Sequence, residues 1–384
     1  MATNTFHIQL DNLLSQGAEK VLSVQREKME HLLAQNGEKF ILFGSGKLGQ
    51  TALNGLRKVG ITPLAFTDNS PVLWGKNIDG VDILSPNEAK QRFGHKAIFV
   101  ITVYTSNPVR RQLEEMGVTF ISFAELSWQY PQTLLPHYAM DLPHSIFFQA
   151  DKVRQTMSVW EDDISRNEYL AQINWRISLN PSVLPNSNNP QQMYFQRDVF
   201  SFSPSDTIVD CGAFDGDTIR EFRRQKISYR RLIAIEPDPI NCQKLKEYLS
   251  TLPEDLRNKI SVHQNAVGAT KEKLNFEATG TARTSMDAGS YEVESIPLDE
   301  VLANEKPTYI KMDIEGAEYQ ALCGGRQTIE KSQPILAICL YHNPEDLWRI
   351  PLLIRSMSDN YRLFLRRYSD ECWEQVCYAI PQER

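Results

Sequence analysis

The sequence has no surplus of positive charge. It carries 41 Lys and Arg against 48 Asp and Glu, a formal net charge of −7. A nucleic-acid footprint needs a concentrated basic face, so that class of partner is not expected. Cysteine pairs of the CxxC kind are also missing. The six cysteines, at 211, 242, 323, 339, 372 and 377, are dispersed and several lie in apolar stretches, which fits buried, reduced thiols rather than a structural zinc site. No apolar run approaches the ~20 residues of a membrane span. Met1 to Leu10 lacks the basic-then-apolar order of a secretion signal. These absences lead to the expectation of a cytoplasmic protein with neither a membrane span nor a nucleic-acid partner. They carry no reading of oligomeric state.

What is present is ordinary globular material, 41% hydrophobic and 23% charged. A length of 384 residues suggests more than one domain. Residues 11–36 are helix-prone. The apolar run 39–43 then leads into Gly44-Ser45-Gly46-Lys47-Leu48-Gly49, read as strand, glycine turn and helix start. Further strands fit at 61–67, 81–84, 97–103 and 118–122, with a helix over 107–116. From about 128 to 200 the alternation stops. That stretch holds helical segments at 145–160 and 161–178 and a Pro/Asn loop at 181–190, and reads as a helical connector and lid. From 206 it restarts, with strands at 207–210, 231–235, 260–264, 308–312 and 334–341. Helices fit near 216–226, 238–250 and 315–330, and Tyr361–Tyr368 and Trp373–Ile380 form a terminal hairpin. The expected architecture is therefore α/β with two Rossmann-like parallel sheets, at 1–127 and 201–384, joined by the connector 128–200. A parallel sheet finished by an antiparallel hairpin is the class I methyltransferase arrangement.

The strongest local signal is Asp210-Cys211-Gly212-Ala213-Phe214-Asp215-Gly216-Asp217-Thr218, at the end of an apolar strand. Open α/β sheets bind ligands at the carboxyl ends of their strands, and glycines let the backbone approach the ligand. The acids discriminate between ligands. A dinucleotide brings a pyrophosphate, which Asp210, Asp215 and Asp217 would repel. S-adenosylmethionine has no phosphate and carries an ammonium and a sulfonium, which suit carboxylates. A generic acidic helix cap is the plainer alternative. The next strand ends Glu236-Pro237, where a carboxylate can accept from both ribose hydroxyls. The third leads into Asn265-Ala266, expected to flank the adenine.

The fourth strand gives Lys311-Met312-Asp313-Ile314-Glu315, and the fifth delivers His342. If those strands are neighbours, Asp313 and His342 stand side by side over the cleft. Methyl transfer is an in-line displacement, so the acceptor must be held close to the sulfonium. An alcohol acceptor must also lose its proton, which favours His342 or Asp313 as base. A carboxylate–imidazole pair can instead hold a divalent metal that lowers the acceptor's pKa. Lys311, on the same side of the pleat, could steer an anionic acceptor. Glu315 is a further catalytic candidate, and both it and Glu318 have a plainer reading as acids that favour a helix N-terminus.

Together these motifs resemble the FkbM family of methyltransferases, over about 191–384. The residues that carry it are 209–218, Ile235-Glu236-Pro237, Ile296 to Leu302, Ile310 to Glu318 and Tyr341 to Trp348. The resemblance implies a class I fold, S-adenosylmethionine as cofactor and O-methylation of sugars or other secondary metabolites, hence a small-molecule or glycan acceptor. The N-terminal half resembles the small Rossmann-like domain of bacterial sugar-modifying and polysaccharide-biosynthesis proteins, through 43–49, Phe66-Thr67-Asp68-Asn69 and 80–86. There Gly44, Gly46, Gly49, Asp68 and Asn69 are candidates for a nucleotide or nucleotide sugar, or the domain serves docking only. An NAD-dependent oxidoreductase built on Gly44 to Asp68 is a competing reading, and it lacks a Tyr-x-x-x-Lys pair. A non-catalytic nucleotide-binding scaffold is the third.

Overall fold

The structure, a computed structural model, describes residues 2–276 and 291–384. The first sheet contains β1 (Phe40–Phe43), β2 (Ala65–Thr67), β3 (Asn77–Ile78), β4 (Val81–Leu84), β5 (Ile98–Ile101) and β6 (Phe120–Ser122), in the order β3-β4-β2-β1-β5-β6. All pairs are parallel except β3 with β4. Every residue of β1 and β5 is buried, as continuous apolar runs in a doubly covered sheet must be. β2 is shorter than the expected 61–67. Pro63 lies just ahead of it and has no amide to give a ladder.

The second sheet contains β7 (Thr207–Cys211), β8 (Arg231–Ile235) and β9 (Ile260–His263). A small side sheet follows, with β10 (Ala266–Gly268), β11 (Glu272–Phe276) and β12 (Tyr291–Pro297), strands that the sequence reading does not include. The main sheet resumes with β13 (Tyr309–Met312), β14 (Ile335–Cys339), β15 (Tyr361–Arg367) and β16 (Gln375–Pro381). Its order is β15-β16-β14-β13-β7-β8-β9, and β16 alone runs antiparallel, inserted between β14 and β15. This is the class I methyltransferase arrangement. The strand order reverses at β7 and β13, so the crevice there is the natural ligand site. A helix at Asp346–Met357, absent from the sequence reading because Pro344 and Pro351 look like breakers, packs beneath the sheet with Trp348 and Ile354 buried.

The connector closes an open sheet edge. β15 is the outermost strand and would expose its backbone. Instead Glu161 N donates to Leu363 O at 2.8 Å, Leu365 N to Ser165 Oγ at 2.9 Å and Asn188 N to Arg367 O at 2.7 Å. Two buried arginines lock the helix Asp163–Ser178 onto this edge: Arg366 pairs with Asp162 and Asp198, and Arg367 with Glu168. The helix Ala2–Leu14 packs on the same connector, not on the first sheet. Only parts of the connector near Tyr138 and Tyr194 reach the crevice.

Candidate active site

A cleft of about 370 Å³ opens over the carboxyl ends of β7, β8, β13 and β14. Its backbone floor requires glycine at 212, where φ is +80° and an added Cβ would lie 1.9 Å from Asp313 O. No side chain fits between these two strand ends.

At one end stand Gly212, Phe214, Asp217, Glu236, Pro237, Asn265 and Ala266, as the sequence placed them. The buried Glu236 carboxylate accepts from Phe214 N at 2.8 Å and Asp238 N at 2.9 Å, one bond to each oxygen. The Asn241 side chain bonds the same carboxylate, which lines the cleft where a ribose diol would lie. Burial pushes this carboxyl up to about 7, against the downward pull of the two amides.

Other expected contacts differ. Asp215 turns outward to an ion pair with Arg220 at 2.7 Å, and Ala213, Gly216 and Thr218 lie outside the lining. Asp210 is wholly buried beneath the turn, at 2.8 Å from Lys311 Nζ. Lys311 also donates to Gly212 O at 3.1 Å and is 2% exposed, so it lies in the floor and cannot reach out to steer an acceptor. Burial works against its charge, but Asp210 and Asp313 outweigh burial and hold its pKa above the usual lysine value. Its role is to balance two carboxylates.

The other end gathers Asp313, Glu315, Tyr341 and His342. The sequence expectation that β13 and β14 are neighbours holds, and His342 Nε2 lies 3.4 Å from Asp313 Oδ1 and 4.0 Å from Glu315 Oε2. Behind the ring, Nδ1 meets Glu318 Oε1 at 2.7 Å. Glu318 is fixed by the amides of Ile314 (2.8 Å) and Gly316 (3.0 Å), so the plain helix-start reading misses its part as the ring's buried partner. Burial would lower the His342 pKa, but Glu318, Asp313 and Glu315 outweigh it and push it up to about 10. Asp313 is moved the other way: burial raises it, and His342 and Lys311 more than offset this and hold it below the usual carboxylate range. Tyr194 Oη donates to Asp313 Oδ2 at 2.9 Å and Tyr138 Oη to Glu315 at 3.0 Å.

Asp313, Glu318 and His342 form a possible metal-binding group. Glu318 is already engaged by two amides and the ring. Glu315 lies outside that group, and its Oε2 accepts from Tyr138.

The sequence did not point to Tyr104, Tyr138, Trp373 or Glu374, which complete the cleft wall. They come from three distant segments, and nothing local marks them.

The glycine turn of the first sheet is arranged differently. Asp68 accepts from Ser45 N (3.0 Å), Ser45 Oγ (2.8 Å) and Ser70 N (2.9 Å), so its carboxylate is engaged by its own turn. Asn69 pairs with Gln112. Gly44 holds φ +115°, and Gly49 packs directly on Gly44 O, while Gly46 faces open space.

Residues 210–372 match the profile of the methyltransferase FkbM domain, and residues 36–120 that of a C2185-like N-terminal domain. A 2-O-methyltransferase, NoeI, of Sinorhizobium fredii (strain NBRC 101917 / NGR234) is 25% identical over 179 residues, 41% of this chain and 71% of that protein. The crystal structure of the methyltransferase FkbM from Methylobacillus flagellatus KT superposes with a TM-score of 0.78 at 22% identity, covering 98% of both chains. The two-sheet architecture is thus shared along the whole length. From Asp210 to Cys372, the stretch that builds this cleft, the chain is similar to the FkbM methyltransferases.

Proposed function

We propose that the chain is an S-adenosylmethionine-dependent O-methyltransferase acting on a hydroxyl of a sugar, glycan precursor or related metabolite. The observation that carries this reading is one continuous cleft with two chemically different ends. Glu236 offers paired acceptors for a ribose, and Asp313 with His342 offers proton-handling groups at the far end. The 2-O-methyltransferase relative supports oxygen as the receiving atom.

In the reaction, the acceptor oxygen attacks the methyl carbon in line with the departing sulfur. The sulfur keeps the bonding pair and becomes neutral, and the hydroxyl proton passes to His342 Nε2. In the free protein His342 is an imidazolium, since its pKa is pushed up to about 10. A cationic methyl donor held in the cleft would oppose the charge on His342 and favour its neutral form, whose Nε2 would then act as base. Glu318 holds Nδ1–H and fixes the ring plane. A divalent ion, if held by Asp313, Glu318 and His342, would serve the same end by acidifying the hydroxyl.

The test is transfer of labelled methyl groups to a panel of pyranosides, with and without chelator. The expected product is a methyl ether with equimolar S-adenosylhomocysteine. Methylation confined to amine or carbon acceptors contradicts the reading.

A further inference from the structure

Beyond the reacting groups, the cleft has a wall built from parts of the chain that are far apart in sequence. Trp373 stands in the turn between β15 and β16. Tyr104, just after β5 of the first sheet, meets it edge-on with ring centroids 4.7 Å apart. Tyr138 from the connector meets it at 5.7 Å, and the same Tyr138 ring lies 5.8 Å from His342. Glu374 and Ser369 line the same region.

We propose that Tyr104, Tyr138 and Trp373 form the acceptor subsite and take the apolar C–H face of a pyranose ring, with Glu374 receiving its hydroxyls. This rests on reading the cleft as a methyl-transfer site. A sugar has one apolar face and a polar rim. An aromatic wall with a few fixed acceptors, one ring away from the base, matches that division.

The first sheet also positions this wall. The helix Ser106–Met116 begins at the carboxyl end of β5, and a helix N-terminus favours an anion. Asp370 fills that place: Asn107 N donates to Oδ2 at 2.8 Å and Asn107 Nδ2 to Oδ1 at 2.6 Å. Ser106 Oγ donates to Glu371 at 3.0 Å, and Arg110 lies 3.5 Å from the same carboxylate. Glu371 and Glu374 hold φ of +51° and +53°, a conformation that non-glycine residues keep only when contacts enforce it. Ser106 and Arg110 hold Glu371, Tyr368 N donates to Glu374 O at 3.0 Å, and Asn107 holds Asp370, whose carbonyl accepts from Trp373 N at 3.1 Å. Asn107 is thus a positioning residue for Trp373 and Glu374.

The experiment uses the full chain and reads tryptophan fluorescence during titration with methyl pyranosides, in saturating S-adenosylhomocysteine. The cofactor product's own affinity is measured first, by calorimetry. Saturable quenching in the wild type is expected. Tyr104→Leu and Asn107→Asp, which sets a carboxylate against Asp370, should each weaken the sugar about tenfold or more, and Trp373→Phe should lose the signal. S-adenosylhomocysteine affinity should stay within about twofold in all three, a readout that general misfolding would not spare. Sugar affinity unchanged in Tyr104→Leu and Asn107→Asp overturns the subsite and leaves the methyltransferase reading intact. Saturation by a catechol but by no pyranoside overturns the sugar assignment. Absence of S-adenosylhomocysteine binding removes the reading on which the subsite rests.

Discussion

The chain contains the same device twice, with opposite outcomes. Each parallel sheet has a strand at its switch point, a glycine turn after it and an acid ending the next strand. In the first sheet these are β1, Gly44 to Gly49 and Asp68. In the second they are β7, Gly212 to Gly216 and Glu236. Asp68 takes three bonds from its own turn, and the neighbouring helix start is filled by Asp370. Glu236 takes two backbone amides and the Asn241 side chain, but it lines an open cleft. The lesson is that a fingerprint reports a backbone shape. Whether that shape binds a ligand depends on whether its acid and the neighbouring helix start face an open cleft or the rest of the chain.

The comparison can be broken most sharply at the reacting end, which has no counterpart in the first sheet. His342→Ala is expected to lower turnover by roughly 10²–10⁴ while S-adenosylhomocysteine affinity stays near wild type. Near wild-type turnover in this variant would mean that catalysis rests on positioning alone. A smaller but equally specific contrast lies in the glycines. Gly212→Ala places Cβ against Asp313 O, so cofactor binding should be lost and the unfolding midpoint should fall clearly. Gly46→Ala meets nothing within 4 Å and should shift stability by no more than about 0.5 kcal/mol, with full activity. Lost activity on Gly46→Ala would restore a ligand to the first sheet.

The third test concerns Glu236. Glu236→Ala should weaken S-adenosylhomocysteine by about 1.5–3 kcal/mol if both ribose hydroxyls lose a charged acceptor. Its carboxyl sits at about 7 in the free protein, and only the ionised form accepts two hydroxyls. Affinity should therefore be full above that value and fall as pH drops below it. Glu236→Gln should flatten this dependence, and a pH profile identical to wild type would place the ribose elsewhere.

The architecture was readable because the central strands β1, β5, β7, β13 and β14 are buried along their whole length, and β1 and β7 lead into glycine turns. The antiparallel terminal hairpin, and Asp313 beside His342, followed from strand order alone. What could not be read had no local cause. Trp373 is ordinary hairpin-turn material until Ser106 and Asn107 clamp Asp370 and Glu371 beside it. Lys311 shares a strand face with acids that the sequence displays, but its burial against Asp210 depends on register between β7 and β13. Glu318 shows the same limit. A helix-start acid and a buried imidazole partner have the same sequence, and only the approach of β14 separates them. The connector's grip on β15 likewise needs Arg366 and Arg367 to turn inward, which charge alone argues against.

The most direct test of the account is calorimetric titration of the full chain with S-adenosylhomocysteine, NAD and a UDP-sugar in parallel. The account predicts one S-adenosylhomocysteine per chain, weakened by Glu236→Ala and unaffected by Asp68→Ala, with no heat from NAD. Stoichiometric NAD binding that Asp68→Ala abolishes, with no heat from S-adenosylhomocysteine, would contradict it.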